Sequence, residues 1–187
     1  MKQVIRKVIW NYEKEEEWLN RMSAMGLALV DYAWCRYVFE PSEKGQWTYR
    51  IELLENLPSH PESASYLRFL EENGVEVVST YMRWIYLRKR AEDGAFDLYS
   101  DLASKLAHEI RVHRIWSMLM WVEFMVGGIN LLVGAAGVIF RDALGSQPVS
   151  NLVLGCSLLA LGFFFLMLDL PLMKKIKRLR AEQRIRE

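Results

Sequence analysis

The sequence predicts an α+β protein in which a ferredoxin-like βαββαβ cytoplasmic domain precedes an antiparallel hairpin of two transmembrane helices. Two observations predict this class. Charged residues are frequent in residues 1–114, nearly absent from 115 to 173, and frequent again in the basic segment 174–187. The charged part alternates strand and helix patterns, whereas the apolar part holds two stretches of about 20 residues, the length that crosses a bilayer.

Residues 1–93 are predicted to form the ferredoxin-like domain, with four antiparallel strands and both helices on one face of the sheet. The predicted elements are, in chain order, a strand at 2–10, a helix at 13–26, strands at 27–40 and 46–55, a helix at 59–74 and a strand at 75–90. Gly26 and Gly74 stand where helix C-terminal caps belong, and Ser59 and Glu62 have the spacing of a capping box.

The sheet face without helices is predicted to carry aromatic and arginine side chains, which makes it the candidate interaction face. Its members are Trp34, Arg36, Arg50, Glu52, Tyr81 and Arg83. Either this face binds an anionic or flat ligand, another protein or a second copy of the chain, or its arginines pair with Glu52 and Glu40 and cover the aromatic rings with their stems. The net charge of +1 and the lack of an RNA-recognition strand signature predict no nucleic acid partner.

Residues 94–114 are predicted to form an amphipathic juxtamembrane stalk helix. Leu98, Leu102, Leu106 and Ile110 recur every four residues, which places them on one helix face. The stalk either transmits movement from the domain to the membrane segments or acts only as a mechanical spacer.

Two membrane spans are predicted, transmembrane helix 1 at 115–140 and transmembrane helix 2 at 152–173, joined by an extracytoplasmic loop at 141–151. Basic residues precede the first span and follow the second in the cytoplasmic tail 174–187, whereas the loop holds only Arg141. The positive-inside rule then gives a multi-pass protein of the cell membrane with both termini in the cytoplasm. The alternative is a pair of buried core helices, which a domain of this size is too small to enclose.

Polar and small residues form a stripe along both spans. Its members are Glu123, Gly127, Asn130, Gly134, Gly155, Gly162 and Asp169, each set spaced for one helix face. We expect the two sets to pack together, with Glu123 and Asp169 both in the cytoplasmic half. Either these carboxyl groups share a proton or cation or contact a basic partner, or Asp169 pairs with Lys174 or Lys175 while Glu123 reaches Arg114 or water.

No residue pattern predicts catalysis, a cofactor or a metal. The two cysteines, Cys35 and Cys156, fall in a predicted strand and a predicted span, so neither a disulfide nor a metal site is indicated. Nucleophile–base pairs, phosphate loops and nucleotide fingerprints are absent from the sequence. We therefore expect a non-enzymatic protein.

Four segments carry a resemblance to a known family. They are "EKEEEWLNRMSAMGLALVDY", "CRYVFEP", "YRIELLENLPSHPESASYLRFLEENGVEVV" and "RWIYLRKRAEDGAFDLYSD". They resemble the bacterial family called domain of unknown function 2812 over roughly residues 8–101. The resemblance implies C-terminal membrane helices and, for many members, a gene beside a PadR-type transcriptional regulator in Gram-positive bacteria; it implies no catalytic residues.

Together these observations predict a membrane-anchored sensor or regulatory adaptor that binds a cytoplasmic protein or ligand through its N-terminal domain in a PadR-associated envelope response. The alternative is an accessory or scaffolding subunit of a membrane transporter, with the polar stripe packed against the transporter's helices. The expected partners are the lipid bilayer, a cytoplasmic or membrane protein and a second copy of the chain.

Overall fold

The protein consists of an N-terminal β-rich domain followed by two long apolar helices, as seen in a computed structural model that describes residues 2–99, 101–140 and 148–186. The chain divides into two compact units, Met1–Ser104 and Lys105–Glu187. The predicted α+β class with a C-terminal helical hairpin therefore holds.

The N-terminal domain contains six strands and two α-helices. They are β1 (Gln3–Arg6), α1 (Tyr12–Ala24), β2 (Leu27–Ala33), β3 (Arg36–Pro41), β4 (Trp47–Leu53), α2 (Pro61–Glu72), β5 (Glu76–Tyr81) and β6 (Trp84–Arg90), followed by a short 3₁₀ turn at Ala91–Asp93. The side chain of Asn11 caps α1 by accepting from the Lys14 N–H at 3.0 Å. The predicted capping box of α2 is wrong, because the N-cap residue is His60 and its side chain makes no capping bond.

The ferredoxin-like topology is not confirmed, because the strands form two three-stranded antiparallel sheets ordered β1-β3-β2 and β4-β6-β5. The single strands predicted at 27–40 and 75–90 are each a β-hairpin. The chain reverses at Trp34–Cys35 in the first hairpin and at Met82–Arg83 in the second. Each turn takes two residues, the commonest length for a hairpin loop.

The two halves of the domain repeat the same β-α-β-β arrangement, and several matching features lie 48 positions apart. Gly26 and Gly74, which follow α1 and α2, both have positive φ, at 86° and 77°. The hairpin turns begin at Trp34 and Met82, again 48 positions apart. The sheet register also slips at the same place in each half, between Leu29 and Asp31 in β2 and between Val77 and Ser79 in β5. The N-terminal domain is therefore an internal structural repeat.

The two sheets meet where β2 lies beside β5, and both strands run in the same direction. Arg88 Nη1, on β6 opposite Glu76, donates to the Leu29 carbonyl at 3.2 Å. Ser79 Oγ accepts from the Tyr32 N–H at 3.3 Å and donates to the Tyr32 carbonyl at 3.0 Å. Because the contacts advance together along the two strands, both hairpin turns lie at the same end of the domain.

Two apolar clusters form the core of the domain. The larger lies between α1 and the sheets and contains Trp18, Leu19, Met22, Ala28, Leu29, Tyr37, Phe39, Trp47, Tyr49, Ile51 and Tyr86. The smaller contains Leu54, Leu70, Val75, Ile85, Leu87 and Phe96. Phe96 follows β6 and lies beside Arg50 in the middle of β4, with the guanidinium 5.9 Å from its ring centre. The segment after β6 therefore folds back along the second sheet.

Helix α1 covers the outer edge of β4 with a row of polar side chains. Glu16 Oε1 accepts from the Ile51 N–H at 2.7 Å, and Ser23 Oγ accepts from the Trp47 N–H at 3.1 Å. Between them, Asn20 Oδ1 accepts from the Tyr49 N–H at 2.8 Å while its Nδ2 donates to the Tyr49 carbonyl at 3.2 Å. Residues 16, 20 and 23 share one helix face, so they replace the neighbouring strand that this edge lacks.

Asn20→Ala is expected to lower the free energy of unfolding by about 2 kcal/mol, because it leaves the Tyr49 N–H of a partly buried edge unsatisfied. It also leaves the Tyr49 carbonyl with the Arg50 guanidinium, at 3.0 Å, as its remaining donor. The measurement is denaturant unfolding of the full-length protein in detergent, followed by the near-ultraviolet dichroism of the domain. Glu17→Ala, at an exposed position of the same helix, is the control. Equal stability of the two variants would show that the amide does not hold this edge.

The C-terminal unit contains two helices, α3 (Leu102–Ile139) and α4 (Pro148–Arg186). The predicted stalk and first span are thus one continuous helix from Leu102 onward, while the preceding residues 94–99 are not helical. The predicted tail also belongs to a helix, since α4 continues through it. Most of the predicted extracytoplasmic loop, residues 141–147, lies outside the described residues.

Both C-terminal helices are long and apolar enough to cross a membrane. Only 17% of the most apolar stretch of α3 and 11% of that of α4 is buried inside the structure. A buried core helix would be covered over most of its surface, so the low burial favours the membrane interpretation over the core-helix alternative.

Candidate functional site

The end of the N-terminal domain that carries both hairpin turns is the candidate site, and we call it the turn end. It comprises Trp34 and Cys35 between β2 and β3, and Met82 and Arg83 between β5 and β6. The Trp34 ring lies 6.1 Å from the ring of Tyr81, which places the two turns side by side. The first strand also reaches this end, because the Lys7 N–H donates to the Cys35 carbonyl at 2.9 Å.

Large apolar side chains stand out from the turn end into solvent. Trp34 and Met82 are each 71% exposed, the highest values among the large apolar residues of the N-terminal domain, and the nearby Val8 is 58% exposed. An exposed apolar group at a protruding turn adds nothing to the core, and such clusters mark contact surfaces.

The backbone of both turns is strained by the residues that occupy it. Trp34, Cys35 and Met82 have φ of 34°, 60° and 54°, in the left-handed region that side chains other than glycine, asparagine and aspartate rarely adopt. Hairpin turns of this kind usually hold Asn-Gly or a glycine. The chain therefore keeps large apolar side chains here at a cost of about 1 kcal/mol or more per residue.

Two of the six residues predicted for the interaction face, Trp34 and Arg83, belong to the turn end, and two more, Arg36 and Tyr81, are the strand residues next to it. Arg36 pairs with Asp31 at 2.8 Å, and Arg83 Nη1 donates to the Glu55 carbonyl at 2.8 Å. Because Arg83 is held by a carbonyl, its positive charge is not neutralised by that contact. The turn end thus combines apolar side chains with guanidinium groups.

The other two predicted residues of that face lie elsewhere. Arg50 lies near Glu16, at 4.0 Å, and over the Phe96 ring. Glu52 is buried and accepts from the Tyr66 hydroxyl at 2.8 Å. Both residues sit on β4, which the division into two sheets separates from β2 and β3.

A buried glutamate in α1 was not predicted from the sequence. Glu15 is 6% exposed and accepts hydrogen bonds from the hydroxyls of Tyr37, at 2.6 Å, and Tyr86, at 2.8 Å. The ring of Tyr32 stacks 4.2 Å from that of Tyr86. Glu15 belongs to an acidic run in the first turn of a helix, a pattern that indicates solvated charge. Only the three-dimensional fold shows that Glu15 is buried while its acidic neighbours are not.

Glu15→Gln is expected to stabilise the protein at pH 7. Burial raises the pKa of the Glu15 carboxyl, and the hydrogen bonds from Tyr37 and Tyr86 offset part of that effect. A folded-state pKa above the unfolded value of about 4.5 contributes stability that is fully present below pH 4.5 and is lost as the pH rises through the folded-state pKa. The glutamine variant lacks this dependence, so its advantage should shrink as the pH falls toward 4.5.

Denaturant unfolding of both proteins in detergent across that pH range measures the difference. Glu17→Gln, at the exposed position two residues away, should change stability little at any pH. A constant difference between Glu15→Gln and wild type would contradict a raised folded-state pKa.

The glycines of the predicted stripe lie where α3 and α4 pack against each other in antiparallel fashion. A Cβ on Gly127 would lie 3.1 Å from the Gly155 carbonyl oxygen, and one on Gly155 would lie 2.9 Å from the Gly127 carbonyl oxygen. Further along, Gly134 approaches Leu152 and Gly162 approaches Phe124. Asn130 donates to the Val126 carbonyl of its own helix at 2.8 Å. The small residues let the helix backbones approach closely.

Gly127→Ala is expected to lower the stability of the hairpin by about 1–3 kcal/mol, because the methyl group meets backbone atoms that cannot move aside easily. The adjacent Gly128 has open space at the same position, so Gly128→Ala is the matched control. Loss of helicity on titration with a denaturing detergent measures the stability of both variants. Similar midpoints for the two variants would show that close approach at Gly127 contributes nothing.

The carboxyl groups of the stripe are not brought together. Asp169, which is 1% exposed, lies 2.6 Å from His113 Nδ1, and Glu123 faces Gly162 instead. Seven residues of helix separate Gly162 from Asp169, a rise of about 10 Å. In the described part of the chain, Glu123 makes no hydrogen bond or ion pair.

Two pairs of acidic and basic side chains connect α3 and α4 near the predicted cytoplasmic end of the spans. Asp169 pairs with His113 rather than with Lys174 or Lys175, and Lys175 pairs with the buried Glu109. Each helix thus supplies one acid and one base. The sequence contains a signal for these two contacts, since Glu109 and His113 stand four residues apart on one face of α3.

In the described ranges 2–99, 101–140 and 148–186, no cluster of three or more His, Cys, Asp or Glu side chains is placed to hold a metal ion. Two open surface grooves, one along α1 beside Arg50 and one between the end of α2 and Arg90, are both shallow.

Comparison with known proteins gives one finding. Residues 11–121 match the family model described as "Protein of unknown function (DUF2812)". The chain belongs to this family. The match covers more than half of the DUF2812 protein and extends beyond the N-terminal domain into α3. Neither the curated proteins nor the solved structures give a match.

Proposed function

We propose that this DUF2812 protein is a non-enzymatic, membrane-anchored regulatory adaptor that binds a cytoplasmic protein through the turn end. The observation that carries the proposal is the pair of adjacent hairpin turns with Trp34 and Met82 exposed on strained backbone. A fold keeps strained backbone where function requires it. Aromatic, methionine and arginine side chains are the ones that protein interfaces favour.

The anchoring part of the proposal rests on the two C-terminal helices. They cross the cell membrane as a multi-pass hairpin with both termini in the cytoplasm, because basic residues flank the outer ends of the two spans. The glycine contacts, the His113–Asp169 contact and the Lys175–Glu109 ion pair hold α3 against α4, so the hairpin forms a defined unit in the bilayer.

The partner proposed for the adaptor is a cytoplasmic regulator. The family resemblance supports a PadR-type transcriptional regulator in an envelope-response system, since many members are encoded beside one. In that role the adaptor senses a change in the envelope and passes it to the regulator by binding or release.

A second candidate function is an accessory or scaffolding subunit of a transporter. The observation that favours it is the large exposed apolar surface that α3 and α4 keep after packing together, including Met125, Leu132 and Met167. In this case the partner binds the outer faces of the hairpin, because the glycines of the stripe are already in contact with the opposite helix.

In-cell photocrosslinking of the full-length protein in its native membrane separates these functions. A photoreactive residue replaces Met82 at the turn end. The matched control position is Met25, a 60% exposed methionine that caps the C-terminus of α1 just before β2 and so lies at the opposite end of the domain. A third probe replaces Leu132 on the outer face of α3. Mass spectrometry identifies what each probe captures.

Capture of a cytoplasmic protein at position 82 but not at position 25 is the expected result. Capture of a transporter at position 132 with nothing at position 82 would overturn the adaptor proposal in favour of the accessory subunit. Only self-crosslinks at position 82 would make a second copy the partner and would also overturn it.

A further inference from the structure

The two similar halves of the N-terminal domain differ at their outermost strands. The outer edge of β4 is covered by Glu16, Asn20 and Ser23 of α1. The strand at the other outer edge is β1, which pairs with β3 on one side only. Within the N-terminal domain as described, no helix or strand pairs with the second side of β1. The domain therefore has one covered sheet edge and one open edge.

The hydrogen-bonding groups of the open edge can be assigned from the strand register. The Lys7 N–H donates to the Cys35 carbonyl, which makes this residue pair a bonded one. Antiparallel ladders alternate bonded and non-bonded pairs, so Gln3, Ile5 and Lys7 direct their backbone groups at β3. Val4 and Arg6 direct their N–H and carbonyl groups outward. These are the groups that an added strand would bind.

The side chains along the same edge are exposed and basic. Val4 is 54% exposed, and Arg6 is exposed as well. Arg6 stands directly opposite Arg36 in the register with β3. The two guanidinium groups repel each other in that position, and Asp31 forms an ion pair with Arg36 but not with Arg6. A carboxylate beside Arg6 would relieve the repulsion.

We propose that the outer edge of β1 binds an extended, acidic segment of a partner protein, which adds to the sheet as a further strand. The added strand bonds to the outward backbone groups of Val4 and Arg6, as in other complexes formed by strand addition. Its apolar side chains contact Val4, and its carboxylates contact Arg6. A second copy of β1 is a poorer occupant, because the basic side chains of Arg6 and Lys7 would then lie beside the basic side chains of the other copy.

The test uses the full-length protein in lipid nanodiscs and two short labelled peptides, one of alternating glutamate and valine and one with lysine in place of glutamate. Fluorescence anisotropy measures peptide binding, and residue-resolved amide exchange measures protection along β1. We expect the acidic peptide to bind at least about tenfold more tightly than the basic one. The amides of Val4 and Arg6 should become protected, whereas that of Ile5, already bonded to β3, should not change.

Two variants complete the test. Val4→Pro removes one outward N–H without removing a bond to β3, and we expect it to weaken binding of the acidic peptide about tenfold. Arg6→Glu should reverse the preference and favour the lysine peptide. This second variant tests the proposal even if Val4→Pro is poorly folded. Trp34→Asn/Met82→Asn should bind the acidic peptide like wild type, so a failure of the turn-end proposal is distinguishable from a failure of this one.

Equal binding of both peptides, or exchange protection that does not alternate between Val4 and Ile5, would overturn the proposal. Unchanged binding in a folded Val4→Pro variant would overturn it as well, since strand addition requires the outward N–H groups.

Discussion

Replacing both Trp34 and Met82 with asparagine is expected to make the domain more stable and at the same time to remove its partner. Both residues have positive φ and are 71% exposed. Asparagine tolerates this backbone conformation far better than tryptophan or methionine, and neither side chain contributes to the core. We expect the free energy of unfolding to rise by about 1 kcal/mol.

The same double variant should lose at least about tenfold in affinity for the partner, because exposed aromatic and methionine side chains supply much of the energy of such contacts. Denaturant unfolding in detergent measures the first effect, and co-purification of the captured partner from membranes measures the second. Met25→Asn is the control, since it removes an exposed methionine from the opposite end of the domain. A variant with undiminished binding would show that the turn end is not the contact surface.

Replacing His113 with leucine is expected to destabilise the C-terminal hairpin by about 3 kcal/mol, because it leaves the buried carboxyl of Asp169 without its 2.6 Å contact. The exchange variant His113→Asp/Asp169→His restores an acid and a base at the same two positions, so it should recover much of the loss. Recovery by the exchange would identify the pair itself, rather than either side chain alone, as the source of stability.

Loss of helicity on titration with a denaturing detergent provides the measurement. Ser117→Ala is the control on the same helix, since Ser117 donates only to the Arg114 carbonyl of α3. If His113→Leu loses helicity at the same detergent concentration as Ser117→Ala, the contact between His113 and Asp169 contributes no stability to the hairpin.

The helices of the N-terminal domain could be predicted because their signals are local. Acidic residues open α1, a proline opens α2, and Gly26 and Gly74 end the two helices with the positive φ that a cap requires. The six strands could not be counted correctly. A hairpin turn is recognised by glycine, asparagine or aspartate, and Trp34–Cys35 and Met82–Arg83 contain none of them.

The missed turns are also the reason why the site was predicted only in part. The pattern of aromatic and arginine residues predicts Trp34, Arg36, Tyr81 and Arg83. It gives no signal for Met82, because the exposure of Met82 depends on a turn that the sequence does not reveal. The spacing of Gly127, Gly134, Gly155 and Gly162 was informative because helical periodicity does not depend on the rest of the fold. The pairing of Asp169 depended on the exact register of α3 against α4, which no local pattern specifies.

The repeat at 48 positions has a consequence for the origin of the domain. The two halves share the same helix, register slip and hairpin, and tandem fusion of one gene segment would produce such a repeat. Identical subunits of a homodimer must carry identical outer strands, so both edges would be open or both covered. Once the segments are fused, each edge can evolve separately. The covered β4 and the open β1 are the asymmetry that only a fused chain can acquire.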